Sequence, residues 1–160
     1  MKIAIALVAL AACQDNLDAA LVQAQLDRPF FDCHVQPVLT KYCSALACHG
    51  DSGRFFRVFA RNRARLNDDE IQRNAFMLEE ERAHNFAAAL AVVNADDPDR
   101  SELLLKPLEQ TAGGYFHVGA TLYAGGDVFA TRDDPDFDVL AQWVAGATEV
   151  PTCIEPGSNL

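Results

Sequence analysis

Apolar residues Phe31, Val35, Val38, Leu39 and Tyr42 recur at spacings of 4, 3, 1 and 3, which predicts a helical face leading into Cys43. Pro37 lies inside that face, so a kink or a late start is expected there. The stretch Arg54-Phe55-Phe56-Arg57-Val58-Phe59 has no helical period and reads as extended or irregular. Asn67 or Asp68 is placed to cap a second helix, with Asp69 and Glu70 favourable near its N-terminus. Its apolar stripe is Ile71, Ala75, Leu78, Phe86, Ala89, Leu90 and Val93, and Ala95-Asp96-Asp97-Pro98-Asp99 ends it in a turn. Ser101 opens a short helix from Glu102 to Lys106, stopped by Pro107. A last helix starts at Pro135 behind the cap Asp134, buries Phe137, Leu140, Ala141 and Val144 with Trp143 at the flank, and closes at Gly146. Between these two, residues 111–132 carry clustered glycines and no period, so a long loop with a short hairpin is expected. The class is mostly α, short helices with one long glycine-rich loop.

The first residues, MKIAIALVALAAC, show one Lys, an apolar run and a small pair, the form of an export signal. The run is shorter than the roughly 20 apolar residues a membrane-spanning helix needs. Leu10-Ala11-Ala12-Cys13 resembles the lipobox of bacterial lipoproteins, which implies a signal over residues 1–12, an acylated Cys13 and a tether over 13–29. An ordinary secretory cut near Ala12 is the alternative. Residue 14 is Gln rather than Asp, which by the lipoprotein sorting rule implies the outer membrane. The formal net charge is −10, and removal of 1–12 takes away Lys2 and no acid. That balance argues against nucleic-acid binding, which needs a basic footprint. The remainder suits one domain with a workable core.

Besides Cys13, the cysteines are Cys33, Cys43, Cys48 and Cys153. Export implies an oxidising compartment where thiols pair. Counting allows two disulfides, or one disulfide and one haem held by two thioethers, and does not choose between them. The stretch CSALACHG, Cys43 to Gly50, has the residue types of a covalent haem site in order: two thiols, then His49 directly after the second. Its spacer is four residues instead of two. Two residues can loop out without changing the Cys48-His49 junction, so a haem site and a pair of disulfide cysteines both remain open on these eight residues.

The wider pattern resembles the small c-type cytochrome domains of exported planctomycete and myxobacterial proteins. The matching residues are Phe31-Asp32-Cys33-His34-Val35-Gln36-Pro37-Val38-Leu39, Cys48-His49-Gly50, the run Asp97 to Lys106 (DPDRSELLLK), His117-Val118-Gly119, and Trp143-Val144-Ala145-Gly146-Ala147. They follow the family order over roughly residues 30–147. This chain departs in the wide Cys43–Cys48 spacing and in HVGA where the family more often has H-G-G-G. The resemblance implies a cytochrome c-like domain over 30–153 with a tail at 154–160, its helices wrapped around one covalent haem c. It implies thioethers at Cys43 and Cys48, His49 as proximal iron ligand, and packed first and last helices, hence a Cys33–Cys153 disulfide.

The sixth-ligand candidates are His34, Met77, His84 and His117. On one continuous helix from Ile71, Met77 and His84 fall away from the apolar stripe and read as solvated surface residues. His34 reads as a satisfied or partly exposed imidazole. His117 sits among glycines that let backbone approach a flat ring, with Tyr115 and Phe116 beside it, and the family position agrees. His117 is the expected ligand. Arg54, Arg57, Arg61, Arg63 and Arg65 read mainly as a solvated cationic strip, with Arg54 or Arg57 placed to pair with haem propionates.

The resulting expectation is a monohaem c-type cytochrome, lipid-anchored through Cys13 at the periplasmic face of the outer membrane or the cell surface. It would pass single electrons between redox partner proteins, alone or as a subunit of a larger electron-transfer complex. No acid–base pair or nucleophile set argues for an enzyme. The alternatives are a haem-free, disulfide-bonded lipoprotein acting as a binding module, and a haem-based gas sensor. A zinc site at Cys43, Cys48 and His49 is disfavoured in an oxidising compartment.

Overall fold

A computed structural model describes residues 26–67, 70–118 and 126–149. The expected signal segment, Cys13, Cys153 and the C-terminal tail lie outside these residues. The described chain is mostly helical and contains no strand, only an isolated parallel bridge between Leu108 and Phe129. None of its helices is long and apolar enough to cross a membrane.

Helix α1 runs without interruption through Arg28–Phe30, a wider π-helical turn Phe31–Val35, and Gln36–Tyr42. Asp27 caps it, its Oδ1 accepting the Phe30 amide at 2.6 Å. The helix does not start late at Pro37 but already at Arg28. Proline lacks an N–H and crowds the carbonyl four residues back. The π turn just before it lets Gln36 N–H reach Phe31 O instead, which carries the helix past the ring. Phe31, Val35, Val38 and Leu39 are buried and Tyr42 is half-buried, as their spacing predicts.

The second helix is where the structure corrects the sequence pattern. Instead of one helix from residue 67 or 68, there is a short α2 (Glu70–Asn74), a non-helical stretch, and α3 (Glu79–Leu90). Ile71, expected on the buried stripe, is 83% exposed, whereas Met77, expected in solvent, is 4% exposed and packs with Phe59 and Ala64. The cause is Arg65. Its guanidinium takes the carbonyls of Arg73 (3.2 Å), Ala75 (2.9 Å) and Phe76 (3.0 Å), groups that a continuous helix would use for its own ladder. Glu81 then receives the Leu78 amide at 2.9 Å and starts α3 afresh. Arg65 is therefore not part of a solvated strip.

Helix α4 (Glu102–Leu105) follows a 3-10 turn at Pro98–Arg100 and buries Leu103, Leu104 and Leu105. Helix α5 (Pro135–Val144) is capped by Asp134, whose Oδ1 accepts the amides of Asp136 (2.8 Å) and Phe137 (3.4 Å). It packs on α1, as the resemblance implies. Trp143 is not at the flank but central: its ring meets Phe31 at 5.1 Å and Phe86 at 5.9 Å, and its Nε1 donates to Asp27 O at 2.9 Å. Lys41 on α1 and Asp136 on α5 form an ion pair at 2.7 Å. A buried amide network joins three elements. Asn85 on α3 exchanges hydrogen bonds with Phe59 N and O (2.8 and 2.7 Å) and donates to Gln36 on α1 (2.8 Å).

Candidate functional site

The C-terminal end of α1 opens onto a cavity of about 480 Å³. Val38, Leu39, Val92, Leu103, Phe129 and Leu140 make its apolar walls, so it borders the main core rather than lying on the surface. Its chemistry-bearing lining is Cys43, Cys48, His49, His117, Arg54, Lys106 and Glu102.

One wall is the turn after α1. Cys43 N and Ser44 N both bond Leu39 O, ending the helix, and the buried Ser44 hydroxyl returns to Thr40 O at 2.7 Å. Cys48 N and Gly50 N donate to Ala45 O, while His49 N donates to Cys43 O at 2.9 Å. The four-residue spacer thus folds into a compact turn with Leu46, 65% exposed, at its tip, and both thiols face the cavity. Gly50 must lack a side chain, because a Cβ there would stand 2.4 Å from Ser44 O. Cys43 and Cys48 are free thiols. Burial, with the neighbouring Cys48 second, pushes the Cys43 thiol up to about 12. Cys33, by contrast, is disulfide-bonded; its expected partner Cys153 lies outside the described residues.

His49 donates from Nδ1 to Phe56 O at 2.7 Å and packs edge-on against the Phe56 ring at 4.9 Å. A carbonyl only accepts, so Nδ1 carries the proton and Nε2 keeps its lone pair. Burial lowers the His49 pKa below its ordinary value; the Phe56 carbonyl opposes this, and the nearby His117 and Arg54 add to it. The ring is held neutral, the form that ligates metal.

The opposite wall is the glycine loop. A 3-10 turn at Gln110–Ala112 leads to Gly113 with φ of 95°, and Gly114 passes so close to Leu108 that a Cβ would fall 1.7 Å from its carbonyl oxygen. Tyr115 N then bonds Leu105 O at 2.7 Å, which brings His117 over the cavity. His117 Nδ1 lies 3.0 Å from Asp127 Oδ1, so the carboxylate accepts its proton and Nε2 is again left open. No hairpin forms among the described residues of this loop, and 119–125 lie outside them.

The two imidazoles are nearly parallel, 11° apart, with ring centroids 6.0 Å from each other. If both Nε2 atoms faced one metal, bonds of about 2 Å each would put the ring centres roughly 6 Å apart, a spacing compatible with the one observed. Among the described residues no three His, Cys, Asp or Glu side chains converge to hold a bare metal ion. An ion between His49 and His117 would find no third His, Cys, Asp or Glu ligand among the described residues. A flat macrocycle with four nitrogens, its edge reaching two thiols, would supply further ligands.

The remaining expected residues divide clearly. Arg54 lines the cavity and is exposed. Arg57 is not among the lining residues; its guanidinium lies over the Phe59 ring at 4.5 Å. Phe116 lines the cavity, while Tyr115 does not. His34 bonds Glu149 through Nε2 at 2.9 Å and His84 is an exposed ring against Phe59 at 4.9 Å, so both lie elsewhere, as does Met77. Lys106, a cation on the cavity, and Asp127, the partner of His117, are not marked by the sequence pattern. Asp127 lies ten residues beyond His117 with no periodic relation to it, so no local signal marks it.

No protein-family model, no curated protein and no solved structure matches the chain.

Proposed function

We propose that this chain is a monohaem c-type cytochrome that carries single electrons. The observation that carries the reading is the pair of parallel imidazoles, each with Nδ1 committed and Nε2 open, across an apolar cavity lined by two free thiols. Cys43 and Cys48 would hold the haem as thioethers, His49 and His117 would ligate iron, and Arg54 and Lys106 would meet the propionates. Haem, when bound, supplies reversible one-electron chemistry, and two imidazole ligands favour a lower potential than a His/Met pair. The chain's own part would be to hold His49 neutral, to keep Nε2 of both imidazoles free of other hydrogen bonds, and to exclude water with Leu103, Phe129 and Leu140.

A binding module that replaces haem with disulfides would need Cys43 and Cys48 paired, and the structure leaves them unpaired. We place the protein on the lipid anchor at Cys13, at the periplasmic face of the outer membrane or the cell surface, exchanging electrons with redox proteins, as a free carrier or a subunit of a larger complex.

The test is expression in a host with a c-type maturation system. A haem-stained denaturing gel and a sharp α band in the reduced visible spectrum are expected. An intact mass of polypeptide and lipid alone would overturn the reading.

A further inference from the structure

The two imidazoles of the cavity are supported differently. His49 donates to a neutral backbone carbonyl, Phe56 O, at 2.7 Å, whereas His117 donates to a carboxylate, Asp127 Oδ1, at 3.0 Å. The Asp127 side chain is only 2% exposed, and its ion-pair partner among the described residues is His117 itself rather than an Arg or Lys. The carboxylate is locked in place. Val128 N donates to the same Oδ1 at 2.8 Å, and Asp127 N donates to Glu109 Oε2 at 2.7 Å. Glu109 also takes the Gln110 amide through Oε1, and it lies close enough to Gly126 that a Cβ there would stand 2.4 Å from Oε2. A glycine with φ of 132° thus makes room for the anchor that fixes Asp127.

We propose that Asp127 is a positioning residue that raises the donor strength of His117 and thereby favours the oxidised state of the centre; this rests on the cytochrome reading above. A buried carboxylate hydrogen-bonded to a ligating imidazole fixes its tautomer and raises its basicity. Its negative charge lies one ring away from the iron site, in surroundings where little water screens it. Both effects stabilise the higher iron charge. His49, bonded to a carbonyl, receives orientation without that charge. The centre is therefore electronically asymmetric, with the loop-borne ligand the stronger donor.

The test uses haem-loaded, matured full chain, checked by mass before any measurement. Redox titration followed in the visible spectrum compares wild type with Asp127→Asn and Asp127→Glu. The Asn variant is expected to stay low-spin and to shift the oxidised-to-reduced ratio at fixed ambient potential about tenfold toward reduced, about 59 mV for one electron. The Glu variant, which restores the charge, should recover part of the shift. An unchanged midpoint in the loaded Asn variant would overturn the inference while leaving the cytochrome reading intact. A second measurement needs no variant. In wild type the Nδ1 proton of His117 should resonate well downfield of that of His49, and equal positions would overturn the inference. A wild-type chain without haem overturns the functional reading and this inference with it.

Discussion

Two regions of this molecule bury polar side chains, and they do so to opposite effect. In the Arg65–Glu81 pair both side chains are 0% exposed, joined by two bonds of 2.9 Å. The remaining guanidinium donors reach the carbonyls of Arg73, Ala75 and Phe76, and the carboxylate also accepts the amides of Leu66 and Leu78. This set is saturated. At the cavity, His49 and His117 each have one nitrogen bonded and one open, and two thiols stand free. This set is half-saturated, in a space that neighbouring side chains leave unfilled. A polar cluster whose bonds all close internally locks the chain; one that lines a cavity with atoms left unbonded keeps those atoms available to a ligand. Stability rests on the first region and the proposed chemistry on the second, a difference that can be broken in measurable ways.

The largest expected effect comes from Glu81→Ala, which leaves the Arg65 guanidinium buried without its partner. Loss of about 3–5 kcal/mol is expected for that change, read from urea unfolding, while the folded fraction keeps its visible spectrum. A loss near zero would mean that the saturated cluster does not lock the fold. The same pair has a pH signature. Burial alone would raise the Glu81 carboxyl, but the hydrogen bonds from Arg65, Leu66 and Leu78 and the Arg65 charge hold it below its ordinary value. A depressed folded pKa gives stability that is present above the unfolded carboxylate range and lost as pH falls through the folded value. The stability gap between wild type and Glu81→Ala should therefore narrow in acid, and a gap that widens would refute the sign.

An intermediate effect is expected from Gly114→Ala. The new Cβ would meet the backbone oxygen of Leu108, which cannot swing aside as a side-chain tip can. A cost of about 1–3 kcal/mol is expected for such overpacking. Because the loop wall carries His117, some of the loaded protein should also turn high-spin. A purely thermodynamic loss with an intact low-spin spectrum would show that the wall and the ligand are uncoupled.

Met77→Leu should do least. Met77 fills the small cluster with Phe59 and Ala64, and a volume-conserving exchange there costs less than about 1.5 kcal/mol. The low-spin band should be unaffected. Its disappearance would count against His117 as the proposed iron ligand and in favour of Met77.

These regions also differ in how far the sequence reveals them. At the cavity, Cys43, Cys48 and His49 are close in sequence, and Gly113-Gly114 sit just ahead of His117, so the candidate residues could be picked out one by one. Their assembly into facing walls could not. The saturated cluster left no trace at all: Arg65 looks like its neighbours Arg61 and Arg63, and Glu81 like Glu79 and Glu80. Only the close passage of the 65–66 backbone beside the start of α3 separates them. The same long-range contact broke the predicted helix, exposing Ile71 and burying Met77 against the periodicity. Asp127 was invisible for a related reason, because its meeting with His117 depends on the return of the chain along Leu108 and Phe129.

The amino-acid order alone determined the features whose causes act within a turn or two: the buried face of α1, the Asp134–Pro135 start of α5, the three apolar residues of α4, the mostly helical class. Helical period, capping and proline stereochemistry are local forces, and local sequence contains them. Tertiary structure alone decided which arginine is buried, where the second helix breaks, that Trp143 is central, and that His117 leans on a carboxylate while His49 leans on a carbonyl. Each of those outcomes turns on desolvation and hydrogen-bond competition between segments distant in sequence, and such competition is settled only when the chain has packed.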